Sequence, residues 1–215
     1  MSAQSFETHD DSGGQERSER GIGPGAVRAS RATRPRVASS GAGKYQLDVT
    51  ACDVADVVRS AGGWLFDRAM GGWNVTVVLT AGGDVRPLEI LGLSTHVEEP
   101  DDDSSAPRRA LALAASSGVV ATDPKVRDGV LRALKRGLTE VTLWGDSWPA
   151  GVDSGSRPVE HVLSGAARAF KAQALAALGS SEPVGPVETF RNRTTAYLAG
   201  YCDLAPSAAS SLAQQ

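Results

Sequence analysis

Residues 50–80, TACDVADVVRSAGGWLFDRAMGGWNVTVVLT, constrain the fold more than any other stretch of the chain. Val54, Val57, Val58 and Ala61 recur three and four residues apart, which marks one apolar helix face, and Leu65, Phe66, Ala69 and Met70 prolong it. Thr50 and Asp53 have the spacing of a capping box at the helix start. Gly62 and Gly63 interrupt the run at a cost of roughly 1 kcal/mol each against Ala, so a kink or a close packing contact is expected there. Gly71 and Gly72 end the helix, because glycine takes the left-handed conformation without strain. Asn74 to Leu79 is then β-branched and nearly all apolar, the pattern of a strand covered on both faces. The GGW triplet occurs at 62–64 and again at 71–73. Two tryptophans could form a ligand platform, but two helix interruptions each followed by a core anchor explain the repeat more simply.

Tyr45, Leu47 and Val49 alternate with polar residues and read as a short strand before this helix. Strand, helix and strand together make a β-α-β unit, with parallel strands and a right-handed crossover. After the turn residues Ala81 to Asp84, Val85 to Leu93 is expected to return as a hairpin partner, with Pro87 on a sheet edge. Residues 108–120, rich in Ala and Leu, are expected to be helical. Asp123-Pro124 opens another helix, with Val126, Val130, Leu131 and Leu134 on its buried face and Gly137 as its stop. Glu140 to Trp144 follows as a strand. Val159, Val162, Leu163, Ala166, Phe170 and Leu178 keep helical spacing, which predicts one long helix over 158–178 with His161 in its first turn. A last helix is expected over 187–201.

The expected class is therefore α/β: a small mixed sheet of about four strands, with a β-α-β unit and one antiparallel hairpin, flanked by helices. The expected organisation is a disordered tail over 1–43, an α/β domain over 44–180, a C-terminal helix within 181–205 and a frayed end over 206–215. Residues 1–43 contain almost no large apolar side chain and cannot bury enough surface to offset their ordering entropy. The first 44 residues hold seven Arg/Lys against five Asp/Glu, and the rest of the chain holds 15 against 20. An acidic body argues against broad nucleic-acid binding by the folded part.

Composition excludes several function classes. Two cysteines, Cys52 and Cys202, give neither a zinc-site spacing nor a disulfide framework. No apolar run approaches the roughly 20 residues that span a bilayer, and no secretory leader is visible, so a cytoplasmic protein is expected. Abundant Arg, Ala, Gly and Val suggest a high-GC bacterial genome. Gly41 to Tyr45 ends like a phosphate loop, but Ala38 stands where the first glycine belongs and Tyr45 replaces the magnesium-binding hydroxyl. Glu98, Glu99, Asp101, Asp102 and Asp103 beside His96 lack the spacing of a calcium loop and read as a solvated acidic segment. No metal or cofactor is expected.

Two places remain for function. Arg28, Arg31, Arg34 and Arg36 form a basic run able to steer the chain to an acidic protein partner or to nucleic acid, although no aromatic residue interleaves them to stack on bases. The loop after strand 140–144 carries Asp146, Ser147 and Trp148, and ligands of open α/β sheets sit beyond the carboxyl ends of parallel strands. Ser147 lacks nucleophile-elbow glycines. His161 is a candidate general base. With no His/Cys/Asp/Glu arrangement of recognisable spacing, the sequence favours a non-catalytic binding or regulatory module that meets its protein partner through the basic arm. The alternatives are a small enzyme with its site at the ends of strands 74–80 and 140–144, using Asp146, Ser147 or His161, and a structural subunit held by C-terminal helices.

Overall fold

The computed structural model describes residues 45–97, 110–146, 148–149, 151–152, 155–194 and 203–207. The basic run at 28–36, the acidic segment at 98–103 and Ser147 lie outside them.

The organising unit forms as its pattern predicts. Strand β1 (Gln46–Ala51) leads into α1 (Val54–Met70) and then β2 (Asn74–Leu79), and the two strands pair in parallel from Gln46↔Asn74 to Ala51↔Leu79. Asp53 alone caps α1, accepting from the Asp56 amide at 2.9 Å. Thr50, the expected other half of a capping box, belongs to β1. The helix runs unbroken through Gly62 and Gly63, where side chains pack closely: a Cβ on Gly63 would meet Leu163 at 2.5 Å, and one on Gly62 would meet Leu91 at 3.1 Å. Trp64 of the first GGW is fully buried against Phe190 as a core anchor, while Trp73 of the second is partly buried against the same core.

Beyond β2 the chain departs from expectation. Residues 85–93 do not form a hairpin strand. They hold the short helix α2 (Arg86–Ile90), whose first turn accommodates Pro87 because its missing amide would be unpaired there anyway. Strand β3 (Ser94–Val97) then pairs in parallel with β2. The Ala-rich run expected to be helical forms β4 (Ala112–Ser116), inserted between β1 and β5 and buried almost throughout, followed by α3 (Ser117–Thr122). Helix α4 (Pro124–Arg136) begins on Asp123 and ends at Gly137 with φ +64°, as read from the sequence, and leads to β5 (Glu140–Trp144).

The single long helix expected over 158–178 is two elements. Arg157–Val162 is strand β6, with Val159 and His161 buried in alternation, and α5 (Gly165–Ala177) starts at the Ser164 cap. The helix expected over 187–201 is, where described, strand β7 (Val187–Arg193), with Glu188, Phe190 and Asn192 inward. A two-residue strand, β8 (Ala205–Pro206), pairs with β6.

Among the described residues the sheet thus has eight strands in the order β3-β2-β1-β4-β5-β7-β6-β8, twice the number expected. The five from β3 to β5 are parallel, while β7 is antiparallel to both β5 and β6. Helices α1, α2 and α5 cover one face through a core around Leu47, Val77, Trp64 and Leu65. Helices α3 and α4 cover the other through Val119, Val120, Val130, Leu134, Val141 and Leu143. No described helix is long and apolar enough to cross a membrane. The strand order reverses direction between β1 and β4, which places the ligand edge of such a sheet at the carboxyl ends of β1, β4 and β5.

Candidate active site

The carboxyl ends of β4 and β5 approach closely. Gly145 has φ +110°, and a Cβ there would collide with the Ser117 hydroxyl, so only glycine fits. This turn sets Asp146, exposed, on the rim of a cleft of about 360 Å³. The cleft lies between the end of β5, the early turns of α1, helix α5 and the start of β7. Arg59, Ser60, Trp144, Asp146 and Thr189 are among its lining residues. A concavity of this size with convergent polar groups at the carboxyl edge of an α/β sheet is where a ligand site is expected.

Its walls are tied together by hydrogen bonds. The Trp144 indole donates to Asp56 Oδ1 at 3.1 Å, and Ser60 Oγ donates to the same oxygen at 3.2 Å, so β5 is fastened to the first turns of α1. Arg59 and Glu182 face each other across the rim at 3.8 Å, both about half-exposed, a spacing that contributes little energy. The deep wall is ionic. Lys171 Nζ donates to Glu188 Oε1 at 2.5 Å and to the Arg59 carbonyl at 2.6 Å. Glu188 also accepts from the Gly63 and Trp64 amides at 2.9 and 2.8 Å. Burial pushes the Glu188 carboxyl above its ordinary value, and Lys171 with the two amides offsets only part of that. A cleft carboxylate perturbed by desolvation is a mark of functional sites, although structural ion pairs share it.

A second charged network lies along the later turns of α1. Arg68, 2% exposed, donates to both Glu140 oxygens at 3.0 to 3.3 Å and to Asp203 Oδ1 at 2.6 and 2.9 Å, and its guanidinium stacks over the Trp73 and Trp64 rings. Burial works against the charge, but Glu140 and Asp203 outweigh it and hold the guanidinium pKa above its ordinary value. Asp67 accepts from Ser164 Oγ at 2.6 Å and the Ser164 amide at 3.1 Å, and faces His161 Nε2 at 2.9 Å. Burial would raise the Asp67 carboxyl, yet Ser164 and His161 together bring it below its usual range.

The structure therefore separates the residues nominated from sequence. Asp146 stands at the cleft. His161 sits in β6, buried, inside the Asp67–Asp203 network, and is not among the cleft-lining residues. Trp148 packs half-buried on the α3–α4 core rather than on the cleft, with its indole nitrogen buried and without a hydrogen-bond partner among the described residues. Lys171, Glu188, Arg59 and Ser60 escaped the sequence reading. Lys171 and Glu188 lie in segments read as helices over 158–178 and 187–201, and their pairing is visible only once α5 and β7 are set against α1. Among the described residues no group of three or more His, Cys, Asp or Glu forms a set able to hold a metal ion.

No protein-family model matches the chain, and no curated protein matches it. Solved structures do. The chain is similar to a triple mutant of the deacetylase Orf2 from the teicoplanin biosynthetic pathway, with 15% identity, 68% of this chain and 97% of that chain covered, and a TM-score of 0.51. It is also similar to the antimicrobial pseudoaglycone deacetylase Dbv21, with 16% identity, 69% and 96% coverage, and a TM-score of 0.48. The likeness to Orf2, at that identity, is one of fold. It corrects the expectation of a non-catalytic module built for protein–protein interaction: in Orf2 this architecture carries a deacetylase, and the alternative of a small enzyme accords better with that likeness.

Proposed function

We propose that the protein is a small hydrolase that removes an acyl group from an amide, with the substrate held in the cleft at the carboxyl end of β5. The observation that carries this reading is the placement of Asp146, an exposed carboxylate one turn beyond β5, on the rim of a polar cleft at the ligand edge of the sheet. The class of reaction follows the deacetylase fold, and the place of reaction follows the geometry. Asp146 takes a proton from water as the water oxygen bonds to the acyl carbon. Arg59 and Thr189 line the cleft and carry the donors for the negative charge that develops on the acyl oxygen. The carbon–nitrogen bond then breaks, the proton passes from Asp146 to the leaving nitrogen, and a carboxylic acid and an amine are released. The Lys171–Glu188 pair holds the deep wall rigid and takes no part in the proton transfers.

The test is acetate release from a panel of N-acetylated amines. Asp146→Asn is expected to lower the rate at least a hundredfold, the lower end of what a positioned general base contributes, while the thermal midpoint stays close to that of the unaltered protein because Asp146 is exposed. Full activity in Asp146→Asn, or no acetate release from any member of the panel by the unaltered protein, overturns the reading.

A further inference from the structure

A second hollow, of about 490 Å³, lies where β6 and β7 meet the C-terminal segment 203–207, and it shares no lining residue with the cleft. A recess of that size holds a small organic molecule. Alternation along β6 puts Arg157 on the same face as buried Val159, and the register sets Arg157 directly opposite Asn192 of β7. Val159 pairs with Pro206 of β8, and buried Leu204 stands two residues before Pro206. Val159, Leu204 and Pro206 together give the hollow an apolar wall.

The neutral polar groups of the hollow satisfy one another. Asn192 Nδ2 donates to Thr142 Oγ1 at 2.8 Å and to Glu140 Oε1 at 3.2 Å, and Thr194 Oγ1 donates to Asn192 Oδ1. Glu140, behind Asn192, and Asp203, next to Leu204 in the chain, are both engaged by Arg68. The charges on the hollow itself are of one sign: among the described lining residues none is acidic, and two are arginines. The Arg193 guanidinium lies beside Gly155, where a Cβ would stand 3.5 Å from Nη1. Arg157 is exposed and makes no hydrogen bond or ion pair with any described residue. A guanidinium presents its donors as a planar fork that matches two oxygens of a carboxylate or a phosphate. The cleft differs in sign, since Asp146, Glu182 and Glu188 stand among its cations.

We infer that the second hollow is a binding site for a small organic anion, an oxyanion carried on an apolar body. Arg157 and Arg193 hold the head, and Val159, Leu204 and Pro206 cover the body. The site is separate from the chemistry assigned to the cleft, because an uncharged N-acetylated amine lacks the head that the arginines select.

Amide chemical shifts of the isotope-labelled full chain, titrated with cyclohexylacetate and with cyclohexyl phosphate, test this. Saturable shifts at Gly155, Val159, Thr194 and Leu204 are expected, and the tighter of the two ligands names the head as carboxylate or phosphate. Cyclohexylacetamide, the same body without the charge, is expected to bind at least tenfold more weakly than the tighter anion. Acetate or inorganic phosphate, the corresponding head without the body, is expected to do the same. Arg157→Gln should weaken the tighter anion about tenfold, the loss of one charge-assisted pair, and leave the thermal midpoint in place because Arg157 is exposed. No saturable shift at these residues with either anion overturns the site. So does an amide or a bare head that binds as tightly as the tighter anion, or an unchanged affinity in Arg157→Gln.

Discussion

Replacing Arg68 with Met is expected to cost about 3–5 kcal/mol of folding stability, the range for leaving one member of a buried ion pair behind. Met keeps most of the aliphatic volume that packs under Trp64 and Trp73, so little of the loss comes from packing. The loss comes from Glu140. Its side chain is 2% exposed, and Arg68→Met takes away the guanidinium that contacts both of its oxygens and offsets its burial. Asp203, with a third of its side chain exposed, recovers water and contributes less. Urea denaturation of Arg68→Met, Glu140→Gln and the double variant separates these effects. The double variant is expected to regain more than half of the Arg68→Met loss, because removing both charges removes the uncompensated one. A single variant within about 1 kcal/mol of the unaltered protein would mean that the pair does not hold α1 to β5.

Lys171→Met is expected to produce a loss of similar size, about 3–5 kcal/mol, for the same reason at the other end of α1. Glu188 would be left with only the Gly63 and Trp64 amides, and the Arg59 carbonyl would lose its donor. This variant carries a pH signature. The Glu188 carboxyl already lies above its ordinary value through burial, and losing Lys171 drives it higher. A carboxyl whose folded pKa is raised favours folding below its unfolded pKa, and that contribution disappears as pH rises through the folded value. The deficit of Lys171→Met should therefore be smaller near pH 5 than near pH 8, by about 1 kcal/mol or more. Equal deficits at both pH values would mean that Glu188 does not remain buried when its partner is gone.

These two ion pairs explain why the sequence exposed some of the fold and hid the rest. The β1-α1-β2 unit is legible because its signals are local: Asp53 before the helix, helical spacing from Val54, Gly71 and Gly72 after it, and a β-branched run to Leu79. Helix α4 is legible for the same reason. Strand β4 is not, because a short Ala- and Leu-rich run satisfies a helix and a strand buried on both faces equally well. The boundary inside 158–178 rests on one residue, Ser164, whose cap separates a strand that buries Val159 and His161 from a helix that buries Ala167, Ala174 and Leu175. Strand β7 is disguised because two of its inward residues, Glu188 and Asn192, are polar. A buried charge is acceptable only with its partner in place, and the partners here are far away in the chain: Glu188 lies 125 residues from Gly63 and Glu140 lies 72 from Arg68. No local pattern reports such pairings. The same limit applies to the candidate site. Asp146 could be nominated from its position after a strand, while Arg59, Ser60 and Thr189 join it only through the folded sheet.

The account turns on chemistry taking place at the carboxyl end of β5, and amide chemical shifts of isotope-labelled full-length protein, titrated with N-acetylated amines, read that location directly. Shifts at Ser60, Gly145, Asp146, Gly185 and Thr189 that move together and saturate are the result expected. Shifts confined to Val159, Thr194 and Leu204 around the second hollow, or no saturable shift at all, would contradict it.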